Sequence, residues 1–370
     1  MTPPSPQSSG KERDKRKMED RALLVCYTDR GKEKMEEIRG LLERSGRTVL
    51  SLERPKGGAF LQEYWQQVRE IVFIGAAGIA VRLMAPCIRD KFTDPAVLVL
   101  DEGGRFVIPL LSGHVGGAND LARFLARATG AEAVITTATD VNGRFAVDVF
   151  AKKCGLVLTD RTKAKDISAR ILKGEKVGFY SEFPVLGRVP EELTPVESRQ
   201  KLGLFPAAIA VEERAGGEDG DHVLSLLPAN LTAGMGCKKG VPRQELEDFL
   251  VGRLEALGLC PGQVRRLASI DRKAGEPGLV ELAEKWQIPY ETWTAGQLGT
   301  VTAVTGESSF VEETVGVGNV CERAAILGSG GGRLVLEKTA GQGMTLALAA
   351  EDWSVDFDKA VCDRPGAGKL

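Results

Sequence analysis

The chain has 370 residues, 43% of them apolar and 27% charged, with a net charge of −2; that balance excludes a disordered or membrane-embedded chain and supplies no global basic field for sequence-independent nucleic-acid binding. One hydrophobic core rarely serves so long a chain, so two or three domains are expected. Seven cysteines without a CxxC pair, and only two histidines, exclude a zinc pattern and fit reduced thiols in a cytoplasm better than a disulfide framework.

Residues 1–20 are rich in Pro, Ser and mixed charge and read as a disordered head. They lack the apolar core of a signal peptide, and no later segment reaches the ~20 apolar residues of a bilayer span. Residues 21–145 then read as an N-terminal α/β domain: a strand in "RALLVCYT", a helix in "KEKMEEIRGLLERSG" stopped at Gly46, a strand in "TVLSLE", a helix in "FLQEYWQQV" and a strand in "REIVFIG". That last strand runs into a turn from Gly75 to Gly78 and a further helix, a geometry that α/β folds place at ligand edges. The turn lacks the third glycine and the downstream acid of a dinucleotide fingerprint, and a Rossmann cofactor is not expected.

The stretch "AVLVLDEGGRFVIPLL" alternates about a Glu-Gly-Gly centre and predicts a hairpin from Val97 to Leu111. It delivers the chain into "PLLSGHVGGANDLARFLARATG", where His114 stands among small residues ahead of a helix capped by Asn119 or Asp120. A strand in "AEAVITT" leads to the loop "ATDVNGR". Residues 146–227 read as a small α/β middle domain and residues 228–352 as a third α/β unit, which opens on the strand, glycine loop and helix of "LTAGMGCKKGVPRQELEDFLVGRLEALG". Residues 353–370 read as a frayed tail.

Each chemistry-bearing position has two readings. His114 either exchanges a proton with a bound ligand or holds its turn by bonding a carbonyl. Around it, Ser112, Gly113, Gly116, Gly117 and Asn119 shape a turn whose small side chains admit an anion close to the backbone. Arg82 and Lys91 either face an acidic substrate, with Asp90 or Asp94 orienting a water, or belong to a solvated mixed-charge loop. Thr136, Thr137, Asp140 and Asn142 follow a strand and either meet a ligand or close an Asx-type turn. In the third unit Gly234, Gly236, Cys237 and Lys238 read as an anion loop; Cys237 lacks a neighbouring histidine and makes a poor nucleophile. Ser269, Asp271 and Lys273 share one face if their strand persists. Gly316, Gly318 and Asn319 precede a helix, with Asn319 as its cap.

Taken together, "SGHVGGANDLA", "TTATDVNG", "GMGCKKG", "SIDRKAGEPGL" and "ETVGVGNVCERAAIL" closely resemble the CbiG family of cobalamin biosynthesis, the cobalt-precorrin-5A hydrolases of the anaerobic pathway, from about Arg21 to Ala350. The resemblance implies an N-terminal α/β domain, a middle domain and a CobE-like C-terminal domain. It further implies opening of the ring A δ-lactone of cobalt-precorrin-5A and loss of the C20 two-carbon unit as acetaldehyde, giving cobalt-precorrin-5B. The cobalt arrives with the substrate, so no separate cofactor or protein-bound metal is expected. The partners implied are cobalt-precorrin-5A and neighbouring corrin-pathway methyltransferases, with no nucleic acid and no membrane.

A flat macrocycle with many carboxylate arms calls for several anion-binding loops around a broad cleft. The expected clasp therefore uses the loops at Gly75, Gly113, Gly234 and Gly316, with the substrate between the N-terminal and C-terminal domains. His114 is the expected base, oriented by Asp94 or Asp140, and the N–H groups of Gly116 and Gly117 are the expected oxyanion site. The competing reading is a non-catalytic corrinoid carrier. A nucleotide-dependent enzyme is argued against by the missing Walker motif.

Overall fold

The computed structural model describes residues 21–90, 93–114, 116–142, 144–215, 222–302, 304–305 and 318–360. They divide into two compact units, one ending at Val149 and the other running from Phe150 to Ala360.

The first unit holds β1 (Arg21–Cys26), α1 (Asp29–Arg44), β2 (Thr48–Glu53), α2 (Ala59–Tyr64), β3 (Glu70–Ile74), α3 (Ala77–Met84), β4 (Ala96–Leu100), β5 (Phe106–Leu111), α4 (Ala118–Thr129), β6 (Glu132–Ala133) and α5 (Ala138–Val141). Its sheet has the order β2-β1-β3-β4-β5-β6. The strands β2, β1, β3 and β4 are parallel; the predicted hairpin reverses direction, so β5 is antiparallel to β4, and β6 runs with β5. Period-two alternation divides β1 between two cores. Ala22, Leu24 and Cys26 pack with Met35, Ile38 and Leu42 of α1 and Leu121 and Leu125 of α4, while Leu23 and Val25 pack with Leu61, Trp65, Ala80 and Met84 on the other face. The strand expected over 131–137 shrinks to two residues, because the Ile135 N–H turns back onto the Ala133 carbonyl at 3.2 Å.

Helix α6 (Val147–Lys153) carries the chain into the second unit, which contains β7 (Leu156–Leu158), α7 (Arg161–Leu172), β8 (Val177–Ser181), β9 (Val185–Leu186), β10 (Leu193–Pro195), β11 (Ala208–Val211), β12 (Val223–Pro228), β13 (Leu231–Cys237), α8 (Arg243–Ala256), β14 (Val264–Ile270), α9 (Pro277–Trp286), β15 (Tyr290–Trp293), α10 (Ala295–Gly299), α11 (Val320–Gly328), β16 (Arg333–Gly341), β17 (Met344–Ala350), β18 (Val355–Asp356) and α12 (Phe357–Ala360). Two five-stranded sheets result, β10-β8-β11-β12-β7 and β15-β14-β13-β17-β16. They are tied by the Ala229 N–H on the Gly155 carbonyl (2.9 Å) and the Gln263 amide on the Glu213 carbonyl (2.8 Å). The sequence reading passed over β12; its six residues are all buried, and a strand covered on both faces shows no alternation.

A buried carboxylate locks the second of these sheets. Glu276, 7% exposed, bonds Lys273 at 2.7 Å and the Gly240 N–H at 2.7 Å, joining the loop after β13 to the start of α9. Lys273 and then that N–H hold its carboxyl below the usual glutamate range. A depressed native value means that stability is fully present above the unfolded-chain value of about 4.3 and is lost as pH falls from there through the native value. Melting curves should therefore show the gap between wild type and Glu276→Gln narrowing below about pH 4.3. A gap that stays constant from pH 7 to 3.5 would refute this linkage.

Candidate functional site

The turn between β5 and α4 is built by backbone bonds. The carbonyls of Ser112, Gly113 and His114 accept from the N–H groups of Ala118 (3.2 Å), Asn119 (2.9 Å) and Gly117 (3.1 Å). Gly117, at φ 95°, occupies the left-handed conformation at the N-cap, so the cap is a glycine rather than the expected Asn119 or Asp120. Other small residues are required by crowding: a Cβ on Gly116 would lie 2.2 Å from the Ser112 Cβ, and one on Gly113 would lie 2.8 Å from the Asn119 Oδ1. Asn119, 3% exposed, donates its amide to the Thr137 hydroxyl at 2.8 Å. Ser112, Gly113, His114, Gly116, Gly117, Asn119 and Thr137 thus form one structure.

The expected oxyanion pair is corrected in part. The Gly117 N–H is spent on the His114 carbonyl, whereas among the described residues no acceptor takes the Gly116 N–H. The orienting role expected of Asp94 is also corrected. Asp94 is 4% exposed; one oxygen accepts from the Trp65 indole (3.0 Å), the other from the N–H groups of Arg89 (2.8 Å) and Asp90 (2.9 Å), and its carbonyl accepts from the Ser112 hydroxyl (3.1 Å). It is a structural carboxylate beneath the turn. The carboxylate beside the imidazole is Asp148 in the first turn of α6, with Oδ1 3.9 Å from the His114 Nδ1 and both side chains 16% exposed. Sequence reading missed it, because an acid in a helix's first turn looks like ordinary dipole complementation.

Sheet direction decides which other positions can join this turn. Leu111 pairs with Val97 near the start of β4, and Gly75 donates to Leu100 at the end of β4. The His114 turn therefore sits at the amino edge of β1, β3 and β4, and Gly75 and Gly78 at the opposite, carboxyl edge. The expected joint clasp of Gly75 and Gly113 is corrected for that reason. Arg82, exposed near the end of α3, folds its guanidinium back along the helix to the Gly78 carbonyl at 3.5 Å, toward the carboxyl edge and away from the His114 turn. Thr136 is exposed beside Thr137, and Asn142 closes its amide onto the Ala138 carbonyl at 2.7 Å. Lys91, Gly316 and the side chain of Asp140 lie outside the described residues.

The third region departs from the anion-loop expectation. Gly234 and Gly236 lie within β13, paired to β17 across the sheet. A Cβ on Gly234 would lie 1.9 Å from the Cys321 carbonyl, so this glycine exists to let α11 approach the sheet. Ser269 is fully buried on the Met235 carbonyl at 2.7 Å. The strand ends at Ile270 and Asp271–Lys273 form a 3-10 turn, so the expected common face of Ser269, Asp271 and Lys273 does not form. Burial raises the Cys237 thiol despite Lys273 nearby, which disfavours a thiolate.

What remains is an edge. Cys237, exposed Lys238, Asp271 and Lys273 follow the ends of the parallel strands β13 and β14. Helix α11 runs antiparallel to β13, its Cys321 over Gly234 and its Gly328 over Thr232, which brings Gly318 and Asn319 to the same edge. Asn319 caps α11 from the left-handed conformation, φ 47°, without a side-chain bond to the helix N–H groups. Sequence reading also missed the buried Glu322 and Arg323. Glu322 accepts from Thr305 (2.8 and 2.6 Å) and the Lys338 N–H (2.7 Å), and Arg323 donates to the carbonyls of Gly318 (2.8 Å), Leu298 (3.3 Å) and Val301. They anchor the segments around this edge.

Among the described residues no group of three or more His, Cys, Asp or Glu is arranged to hold a metal ion, and no helix is long and apolar enough to cross a membrane.

Three family descriptions match consecutive parts of the chain: "Cobalamin synthesis G N-terminal" over residues 59–140, "Cobalamin biosynthesis central region" over 145–226 and "Cobalamin synthesis G C-terminus" over 231–349. The chain is 40% identical over 287 residues to a cobalt-precorrin-5A hydrolase of Salmonella typhimurium, covering 75% of this chain and 81% of that one. It is 33% identical over 305 residues to the cobalt-precorrin-5A hydrolase of Priestia megaterium, covering 78% and 80%. Protein CobE of a Sinorhizobium species is 30% identical over 123 residues, 33% of this chain and 80% of that protein.

Proposed function

We propose a function from the premise that this chain belongs to the CbiG family of cobalamin-biosynthesis proteins, as its three consecutive family segments and its relatives at 40% and 33% identity establish. It is an enzyme of that pathway acting on cobalt-precorrin-5A. Water adds to the ring A lactone carbonyl while its proton passes to the His114 imidazole; the ring C–O bond breaks, and the departing oxygen takes that proton back to become a free hydroxyl. The same imidazole then removes the hydroxyl proton, a C=O bond forms, and the adjoining carbon–carbon bond breaks. Its electron pair passes to the macrocycle, which is protonated, and acetaldehyde leaves. One water is consumed and one acetaldehyde released.

The observation that supports this reading best is the turn itself: a partly sheltered imidazole and the Gly116 N–H on one short segment, with the Asp148 carboxylate of α6 3.9 Å from the ring. The Gly116 N–H is the candidate donor to the oxyanion. Thr136, exposed beside Thr137 of this turn, is a candidate contact for a substrate carboxylate. In the second unit the exposed Lys238 is a cation at its own sheet edge, able to bind a carboxylate there.

The deciding experiment supplies cobalt-precorrin-5A to the purified protein and measures acetaldehyde. The expected result is one acetaldehyde per substrate consumed, over many turnovers. A carrier would change the substrate's spectrum and release none, which would overturn the reading.

A further inference from the structure

We infer that Asp148 is the positioning residue for the His114 imidazole, an inference that rests on the reading of His114 as the base. Asp148 reaches the turn from a different element, the first turn of α6, and its carboxylate Oδ1 lies 3.9 Å from Nδ1. That carboxylate is itself held in place. The same oxygen accepts from the Val149 N–H at 3.0 Å, which fixes its side-chain torsion, and 16% exposure leaves it partly desolvated. The other carboxylate beneath the turn, Asp94, has both oxygens engaged by Trp65, Arg89 and Asp90 and is unavailable to the ring.

A carboxylate facing Nδ1 selects the tautomer that carries its proton there, and leaves the Nε2 lone pair to accept a proton from water or from the freed hydroxyl. It also stabilises the imidazolium formed between the two proton transfers. At 3.9 Å the pair is an ion-pair contact rather than a hydrogen bond. Catalytic bonds of this type commonly tighten when substrate closes over them. The charge-assisted distance for such a pair is about 2.8 Å, about 1 Å shorter than the separation seen here.

Two histidines, His114 and His222, make the test direct: ring-nitrogen NMR of histidine-labelled protein resolves both, and His222→Gln assigns them. In Asp148→Asn, which keeps an oxygen for the Val149 N–H, the His114 titration should move to lower pH and its Nδ1–H tautomer should decline. Asp148→Glu should restore both in part. Turnover of Asp148→Asn should fall about 10- to 100-fold with KM within about twofold, and its acid limb should shift with the ring titration. An unchanged His114 titration and tautomer in Asp148→Asn overturns the inference, whatever turnover does. The ring measurement needs no substrate, so it separates this pairing from the proposed reaction: a shifted titration alongside full activity of His114→Ala would keep the pair and discard His114 as base.

Discussion

His114→Ala is expected to lower acetaldehyde release from cobalt-precorrin-5A by 10²-fold or more, roughly the span attributed to a positioned general base. The loss should fall mainly on kcat, because the imidazole acts on protons in flight while the carboxylate arms of the substrate are held elsewhere. Folding should survive. The turn's backbone bonds run through the carbonyls of residues 112–114 and the N–H groups of 117–119, none of which the substitution removes. Melting temperature and circular dichroism near wild type would establish that. A folded variant turning over at near wild-type rate would show that another group accepts the proton. Partial recovery with added imidazole would strengthen the assignment.

Gly234→Ala is expected to cost the second unit about 3 kcal/mol or more, the upper range for overpacking a closed core. The new methyl would lie 1.9 Å from the Cys321 carbonyl and 2.8 Å from the Ala325 nitrogen, both backbone atoms of α11. Neither can swing aside as a side-chain tip can, so the helix must lift from the sheet. Lifting α11 would pull Ala324 and Ala325 from the cores they fill and loosen Glu322 and Arg323. For a unit of this size the cost corresponds to a melting temperature lower by about 6–12 °C. Gly252→Ala is the matched control: Gly252 is exposed within α8 and its Cβ would meet nothing within 4 Å, so it should gain roughly 0.5–1 kcal/mol from helix propensity. Equal melting shifts in the two variants would contradict the packing argument.

The strands and helices were largely legible where hydrophobic periodicity was strong. The hairpin about Glu102 and Gly103, the helix at 118–129 and the strand–helix alternation at 264–293 all follow from residue order. Periodicity failed at β12, fully buried and therefore unalternating, and at the 131–137 stretch, where only two residues pair with β5. The glycines were legible as special positions but ambiguous in purpose. Gly117 is a left-handed cap, Gly116 answers crowding inside its own turn, and Gly234 answers crowding by a helix about ninety residues further along the chain. Nothing local separates those cases, because a glycine required by an absent side chain and one required by a backbone angle look alike in sequence.

The sequence by itself determined the layer type, the family through five ordered motifs, and the isolation of His114 among small residues, since each of these is a property of local order. Tertiary structure alone decided the company His114 keeps. Asp94 and Asp148 stand on either side of it in the chain, and only the coordinates show that one carboxylate is consumed by an indole and two N–H groups while the other lies 3.9 Å from the ring. The same holds for the sheet edges: one hairpin reverses the chain between β4 and β5, and that reversal puts Gly75 and Gly113, similar in sequence, at opposite ends of the strands. Proximity across a fold depends on strand direction and register, which residue order constrains only through the packing of the whole.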